Sequence, residues 1–222
     1  YKNQEDELNL TRKYNKVLTS KKRRDAINIA IEKKYDFAIL DDGYQDTSIK
    51  KDLNIICFHS KQKIGNGQIV PAGPLRDTLQ SLKKCQIVVV NGQKNLEFEE
   101  KLKKYNSNLN FFYFKYYSKN IENLKNRKLI AFAGIGNPQN FFDLLKENHL
   151  NVVREINFPD HYKFNDSDLD NLNKLEEKYK AKLITTEKDY FRIKPFARKR
   201  YDYVKLELKF DDEEKFKNII KK

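Results

Sequence analysis

Three stretches of this 222-residue chain have the residue types and spacing that chemistry needs. In Phe37-Ala38-Ile39-Leu40-Asp41-Asp42-Gly43-Tyr44-Gln45 an apolar run ends in two adjacent carboxylates and a glycine. Four uninterrupted apolar residues read as a strand buried on both faces, the parallel-sheet type. Ligands of open α/β sheets bind at the carboxyl ends of such strands, so two acids there suggest a cation site. The same residues also fit a strand followed by an Asp/Gly turn. The second stretch, Ile64–Arg76, holds three of the seven glycines and two of the five prolines. Such a composition excludes a helix or a central strand and suits either a binding loop or an Ω-loop, with Arg76 and Asp77 closing it in charges of both signs. The third is Phe158-Pro159-Asp160-His161-Tyr162, where a carboxylate beside an imidazole could tune proton transfer or could be purely structural.

Short apolar strands must position these groups. Asn54–Phe58 and Gln86–Val90 repeat the wholly apolar type of Phe37–Leu40, which places at least three buried strands in one sheet. Ahead of them, Thr19-Ser20 can cap a helix over Lys21–Lys34 with Ala26, Ile27, Ala30 and Ile31 on one face. A short amphipathic helix, Leu96–Lys104, leads to the aromatic strand Asn110–Tyr117. The polar stretch Ser118–Arg127 then marks a boundary, which gives domains 1–120 and 121–222. A second α/β unit follows. Its strand Leu129–Ala133 turns at Gly134-x-Gly136, half of a dinucleotide fingerprint, into a helix entered through Pro138. Strand Asn151–Ile156 precedes the Asp-His turn, and Asn165-Asp166-Ser167-Asp168 caps a helix reaching Lys178. Strand Lys182–Thr185 ends in Thr186-Glu187-Lys188-Asp189, and a last strand, Val204–Phe210, precedes a terminal helix.

Lys+Arg 45 against Asp+Glu 32 leaves a charge of +13, which favours nucleic acid, anionic membrane or phosphate-bearing ligands by field alone. The basic residues are spread along the chain, however, as solvated faces would be. Cys57 and Cys85 sit in apolar runs without metal-ligand spacing and read as buried free thiols, which suits a reducing cytoplasm. No apolar run is long enough to span a bilayer, and peripheral membrane contact stays open. The chain holds no Met and begins at Tyr1, which reads as a processed, truncated or partial chain.

Asp41-Asp42-Gly43-Tyr44-Gln45, Gly65-Asn66-Gly67 through Pro71-Ala72-Gly73-Pro74-Leu75-Arg76, Val90-Asn91-Gly92, Phe132-Ala133-Gly134-Ile135-Gly136, Phe158-Pro159-Asp160-His161 and Thr186-Glu187-Lys188-Asp189 occur in one order. In that order, over nearly the whole chain, they resemble the tetraacyldisaccharide 4'-kinase family, the lipid A kinases. The resemblance implies an α/β fold whose parallel sheet is of P-loop kinase type, with a second, smaller α/β lobe. It implies transfer of the ATP γ-phosphoryl, with Mg²⁺, to the 4'-hydroxyl of a lipid A disaccharide precursor. The setting would be the cytoplasmic face of the bacterial inner membrane, peripherally bound, with no nucleic-acid partner. Asp41 and Asp42 would be the metal acids, with Gln45 and Asp77 among the cofactor-binding residues. His161 would be the catalytic histidine, and Asp6 in Glu5-Asp6-Glu7 would stand for the aspartate it pairs with.

Departures from the family pattern are also legible. Asp46 stands where the family has histidine, and Asp77 stands where it has glutamate. No Gly-x-x-x-x-Gly-Lys-Ser/Thr occurs, so the resemblance places the phosphate-binding loop ahead of Tyr1 and leaves these residues insufficient for catalysis. Two other classes compete. A nucleotide-sugar glycosyltransferase is suggested by Ile39-Leu40-Asp41-Asp42-Gly43 and would need Asp166-Ser167-Asp168 as a second metal motif. A basic RNA-binding protein is suggested by the net charge and the aromatics of Phe111–Tyr117.

Overall fold

The computed structural model describes Leu8, Thr11, Arg12 and Tyr14–Lys221. The chain forms two compact units: one of Leu18–Tyr116 with Leu208–Lys222, the other of Tyr117–Glu207 with the described part of Tyr1–Val17. Each carries a four-stranded sheet, as an α/β protein requires.

In the Leu18–Tyr116 unit, helix α1 (Arg23–Glu32) precedes strands β1 (Ile55–His59), β2 (Ile87–Asn91) and β3 (Asn110–Ser118), with helix α2 (Leu96–Lys103) between β2 and β3. β1/β2 and β2/β3 are parallel, and β8 (Leu206–Phe210) follows β3 in the sheet order. The alternation of side chains along a strand divides the core. Val88, Val90 and Tyr113 pack with Leu82, Phe98 and Leu102, whereas Ile87, Val89, Phe112 and Phe114 pack with Phe210, Phe216 and Ile219. Phe216 and Ile219 belong to helix α6 (Glu213–Ile220), whose apolar stripe thus covers one face of the sheet. The aromatic strand is therefore core: Phe112, Tyr113 and Phe114 are buried.

The other unit has β4 (Lys128–Ala133), α3 (Pro138–Glu147), β5 (Asn151–Asn157), α4 (Asp166–Tyr179), β6 (Lys182–Thr186), α5 (Glu187–Arg192) and β7 (Asp202–Val204). Its sheet order is β5-β4-β6-β7, all parallel. Central β4 is buried on both faces: Leu129, Ala131 and Ala133 meet Phe142 and Leu145, and Ile130 and Phe132 meet Leu169 and Leu172. α4 starts at the cap read from the sequence, which is a capping box: Asn165 Oδ1 accepts from Asp168 N and Asp168 Oδ2 from Asn165 N, both at 3.0 Å.

Several expectations fail for physical reasons. Phe37–Leu40 is not a strand: it bonds to no strand among the described residues, and Phe37 and Ile39 are 62% and 94% exposed. Without a neighbour to complete its backbone ladder and a layer to cover its side chains, an apolar run does not become a buried strand. Cys57 is exposed, because among the described residues β1 bonds to one strand only and packs incompletely; Cys85 is buried as expected. The N-cap of α1 is Lys22, and Ser20 Oγ instead accepts from Lys22 N at 3.3 Å. The expected strand Val204–Phe210 breaks at Lys205, whose backbone bonds to Asn120 Oδ1 and Lys119 N, dividing it between the two sheets.

Candidate active site

Two groups of polar side chains are built on strand ends and turns, one in each unit. In the first, two cations organise the backbone of the acidic turn. Arg23 donates through Nη2 to the carbonyls of Asp41 (3.2 Å) and Asp42 (3.0 Å), and through Nη1 to Asp46 Oδ2 (3.1 Å). Lys51 Nζ donates to the carbonyls of Gly43 (3.0 Å), Tyr44 (3.3 Å) and Asp46. Tyr44 pins the turn to the short helix Leu79–Lys84 by donating its hydroxyl to Ser81 O at 2.7 Å, and burial pushes its phenol up to about 12. Asp42 takes φ +50°, a left-handed conformation that aspartate tolerates better than most residues.

With the backbone held from within, the carboxylates of Asp41 and Asp42 lie at the surface. Asp42 meets the proline-glycine loop: Arg76 pairs with it bidentately, Nη1–Oδ1 at 2.5 Å and Nη2–Oδ2 at 2.9 Å. The guanidinium holds the Asp42 carboxyl below the usual carboxylate range. Both side chains are more than half exposed, so the pair is screened by solvent, holds the loop weakly and can open for a ligand. The loop keeps its shape through Asn66 Nδ2 to Ala72 O (2.8 Å) and Val70 N to Leu75 O (2.8 Å). It needs glycine at 73, where a Cβ would fall on Asn66 Oδ1 and the Gln68 carbonyl. Asp77 Oδ1 accepts from Thr78 N at 2.7 Å, and Gln45 is exposed in the acidic turn.

Asp46, one of the two positions that depart from the pattern of the resembled family, has a structural role. Its carboxylate accepts from Ser48 N (2.8 Å), Ser48 Oγ (2.6 Å) and Arg23, and these bonds, Ser48 first, lower it to about 2. Among the described residues no group of three or more His, Cys, Asp or Glu could cage a metal. Mg²⁺ does not require one, because it keeps several waters and takes one or two carboxylates plus substrate phosphates. The exposed carboxylate groups of Asp41 and Asp42 fit that demand.

The second group lies at three adjacent strand ends. After β4, the Gly134 amide donates to Asp189 Oδ2 at 2.9 Å. After β6, Thr186 caps α5, its Oγ1 accepting from Asp189 N (3.1 Å) and donating to Asp189 Oδ2 (2.8 Å). Arg192 Nη1, one turn on, donates to Asp189 Oδ1 (2.8 Å) and to the Gly134 carbonyl (2.6 Å). The side chains of Arg192 and Asp189 are 3% and 0% exposed, so this is a buried ion pair with its hydrogen bonds filled. After β5, His161 takes φ +57° and donates its amide to Gly134 O (3.1 Å) and Asp160 Oδ1 (2.9 Å). Its Nδ1 lies 3.2 Å from Arg192 Nη2. Gly134 is tight: a Cβ would lie 3.1 Å from Tyr162 Cβ and 3.2 Å from Pro159 O.

The Tetraacyldisaccharide-1-P 4'-kinase family model matches residues 5–222. The chain belongs to this family. A tetraacyldisaccharide 4'-kinase of Pelagibacter ubique is 38% identical over 221 residues, covering 98% of this chain and 70% of that one. One of Rickettsia typhi is 35% identical over 194 residues, covering 85% of this chain and 58% of that one. The chain thus spans little more than half the length of some curated relatives. Among solved structures, LpxK from Aquifex aeolicus, crystallised with ATP, shares the fold with a TM-score of 0.58 and 24% identity over 81% of this chain and 55% of that one.

Of the residues the sequence singled out for this kinase family, Asp41, Asp42, Gln45 and Asp77 fall in one unit with the proline-glycine loop, and His161 falls in the other. Asp6 lies outside the described residues. Arg23, Lys51 and Arg192 were not identified as site residues from sequence, because in a chain with 45 basic residues neither a lone one nor the run Lys21-Lys22-Arg23-Arg24 shows which of them meets a site. Asp189 was visible in the strand-end motif, but its burial was not. The competing readings lose their support: Asp168 is used in a capping box, Asp166 pairs with Lys194 at 2.7 Å, and the central aromatics of β3 are core.

Proposed function

We propose that the chain belongs to a kinase that transfers the γ-phosphoryl group of ATP to the 4'-hydroxyl of a tetraacylated glucosamine disaccharide 1-phosphate, a lipid A precursor. The observation that carries this reading is the family match over residues 5–222, which contains both polar groups described above. Chemically, the new bond joins the 4'-oxygen to phosphorus, the bridging bond to ADP breaks, and the hydroxyl proton must go to a base.

Asp41 and Asp42 would hold Mg²⁺, which when bound neutralises phosphate charge. Arg23 and Lys51 keep their turn in shape through its backbone carbonyls, without occupying either carboxylate. Arg76 would trade its contact with Asp42 for phosphate oxygens, for which a planar guanidinium is suited. Asp6 is the proposed proton acceptor and His161 the group that orients it. No described helix is long and apolar enough to cross a membrane. Peripheral contact with the cytoplasmic face of the inner membrane follows from a substrate whose acyl chains keep it in a bilayer.

The test is ATP-dependent phosphorylation of the disaccharide 1-phosphate by the full-length protein carrying this chain, titrated with Mg²⁺. Asp41→Asn should lower turnover by orders of magnitude by removing an anionic ligand. Unchanged Mg²⁺-dependent activity in that variant would remove Asp41 from the site, and absence of activity in the parent protein would refute the function.

A further inference from the structure

We propose that Arg192, locked by its buried pairing with Asp189, is the positioning residue that fixes the ring orientation and tautomer of His161, so that Nδ1 accepts and the neutral ring carries its proton on Nε2. The inference deepens the kinase reading and, for its catalytic consequence, rests on it.

A guanidinium has five donors and no acceptor, so a ring nitrogen 3.2 Å from Arg192 Nη2 must present a lone pair to it. A doubly protonated ring would set donor against donor and cation against cation at that contact. In the neutral ring the proton is then on Nε2, because the hydrogen bond made by one nitrogen decides the state of the other. The nearer partner in sequence does not do this. Asp160 Oδ2 is 3.9 Å from Nε2, beyond hydrogen-bond range, and Asp160 Oδ1 is taken by the His161 amide.

Arg192 is a strict reference for the ring because it cannot move alone. Its Nη1 is held by Asp189 Oδ1 and Gly134 O, and Asp189 Oδ2 is held in turn by Gly134 N and Thr186 Oγ1. Gly134 O also accepts the His161 amide, so one carbonyl anchors both the backbone of the histidine and the arginine that faces its ring. Three neighbouring strand ends, those of β4, β5 and β6, thereby converge on one imidazole. The consequence is a division of labour: Nδ1 is committed to Arg192, and His161 serves an oxygen acceptor through its Nε2–H. It orients a carboxylate base rather than taking the hydroxyl proton at Nδ1.

The tautomer is read directly by two-bond ¹H–¹⁵N correlation spectra of the ¹⁵N-labelled chain. Only three histidines are present, and His161→Asn identifies the set that belongs to His161. Nδ1 is expected at the shift of an unprotonated ring nitrogen and Nε2 at that of a protonated one; the reverse would overturn the proposal. Arg192→Lys keeps a cation beside Asp189 but cannot span Gly134, Asp189 and His161, so the two ring shifts should move toward an averaged mixture. Should that variant not fold, Arg192→Met with Asp189→Asn removes both buried charges together and carries the same expectation. An unchanged tautomer in whichever variant folds would overturn the proposal. In the full-length enzyme Arg192→Lys should lower kcat about tenfold or more with KM within about twofold. The spectra report on the ring whether or not the protein phosphorylates anything, so loss of the kinase reading and loss of this inference are separate results.

Discussion

The buried pair Asp189–Arg192 should be a point of high energetic consequence in its unit, and Asp189→Ala tests this. Asp189 accepts from three donors, Gly134 N, Thr186 Oγ1 and Arg192 Nη1, in a site with no solvent exposure. Removing the carboxylate leaves a guanidinium that is almost fully buried without its counter-charge, for which about 3–5 kcal/mol is the usual cost. The Gly134 amide, left unsatisfied, adds roughly 1–3 kcal/mol if no water replaces the oxygen. Arg192→Met alone leaves the opposite charge unpaired and should be comparably costly. The double variant removes both charges, so its cost should fall short of the sum of the single variants by about 1–3 kcal/mol, the coupling expected of groups in one network. Urea unfolding followed by tyrosine fluorescence and far-UV circular dichroism gives the three free energies, because the chain has 13 tyrosines and no tryptophan. With two compact units, the change must appear in the transition of the unit that holds β4 and β6. A loss below about 1 kcal/mol for Asp189→Ala, or strict additivity of the two substitutions, would refute the claim that these charges depend on each other.

Asp46 should titrate far below an ordinary carboxyl, with a midpoint of about 2 by carboxyl ¹³C shifts. Because its folded value is depressed, its stabilising effect is complete above the ordinary value of 3.8 and is lost as pH falls toward 2; Asp46→Asn should remove that acid dependence, and a midpoint near 4 would contradict the bonds to Ser48 and Arg23. His161→Ala in the full-length enzyme should reduce kcat by about 10²–10⁴-fold with little change in KM; a normal kcat with a lowered Tm would make the histidine structural. Residues 1–222 alone, which contain no phosphate-binding loop motif, should not phosphorylate a lipid A precursor, and detectable ATP-dependent product would overturn that expectation.

Much of the chain could be read locally, because local rules governed it. The β2 and β4 runs became central strands, Pro138 opened α3, Asn165 and Asp168 closed a capping box, and the proline-glycine loop stayed out of both sheets. In each case the deciding interactions are within a few residues or follow from strand periodicity. The order of the strand-end motifs was enough to indicate the family, since it requires only residue identity. Burial and pairing between distant segments were decided elsewhere. Phe37–Leu40 is an uninterrupted apolar run like that of β2, yet most of it is exposed, because a strand is stabilised by a neighbouring backbone and a covering layer that composition does not encode. Lys205 separates two strands because Asn120, far away in sequence, takes its amide. The sequence left Asp160 beside His161 open as either a tuning or a structural neighbour; the imidazole Nδ1 faces Arg192, and Asp160 Oδ1 accepts from the backbone. That partner became visible only when the ends of β4, β5 and β6 came together, since a charge among many acquires a role from where the fold buries it and which groups are left to satisfy it.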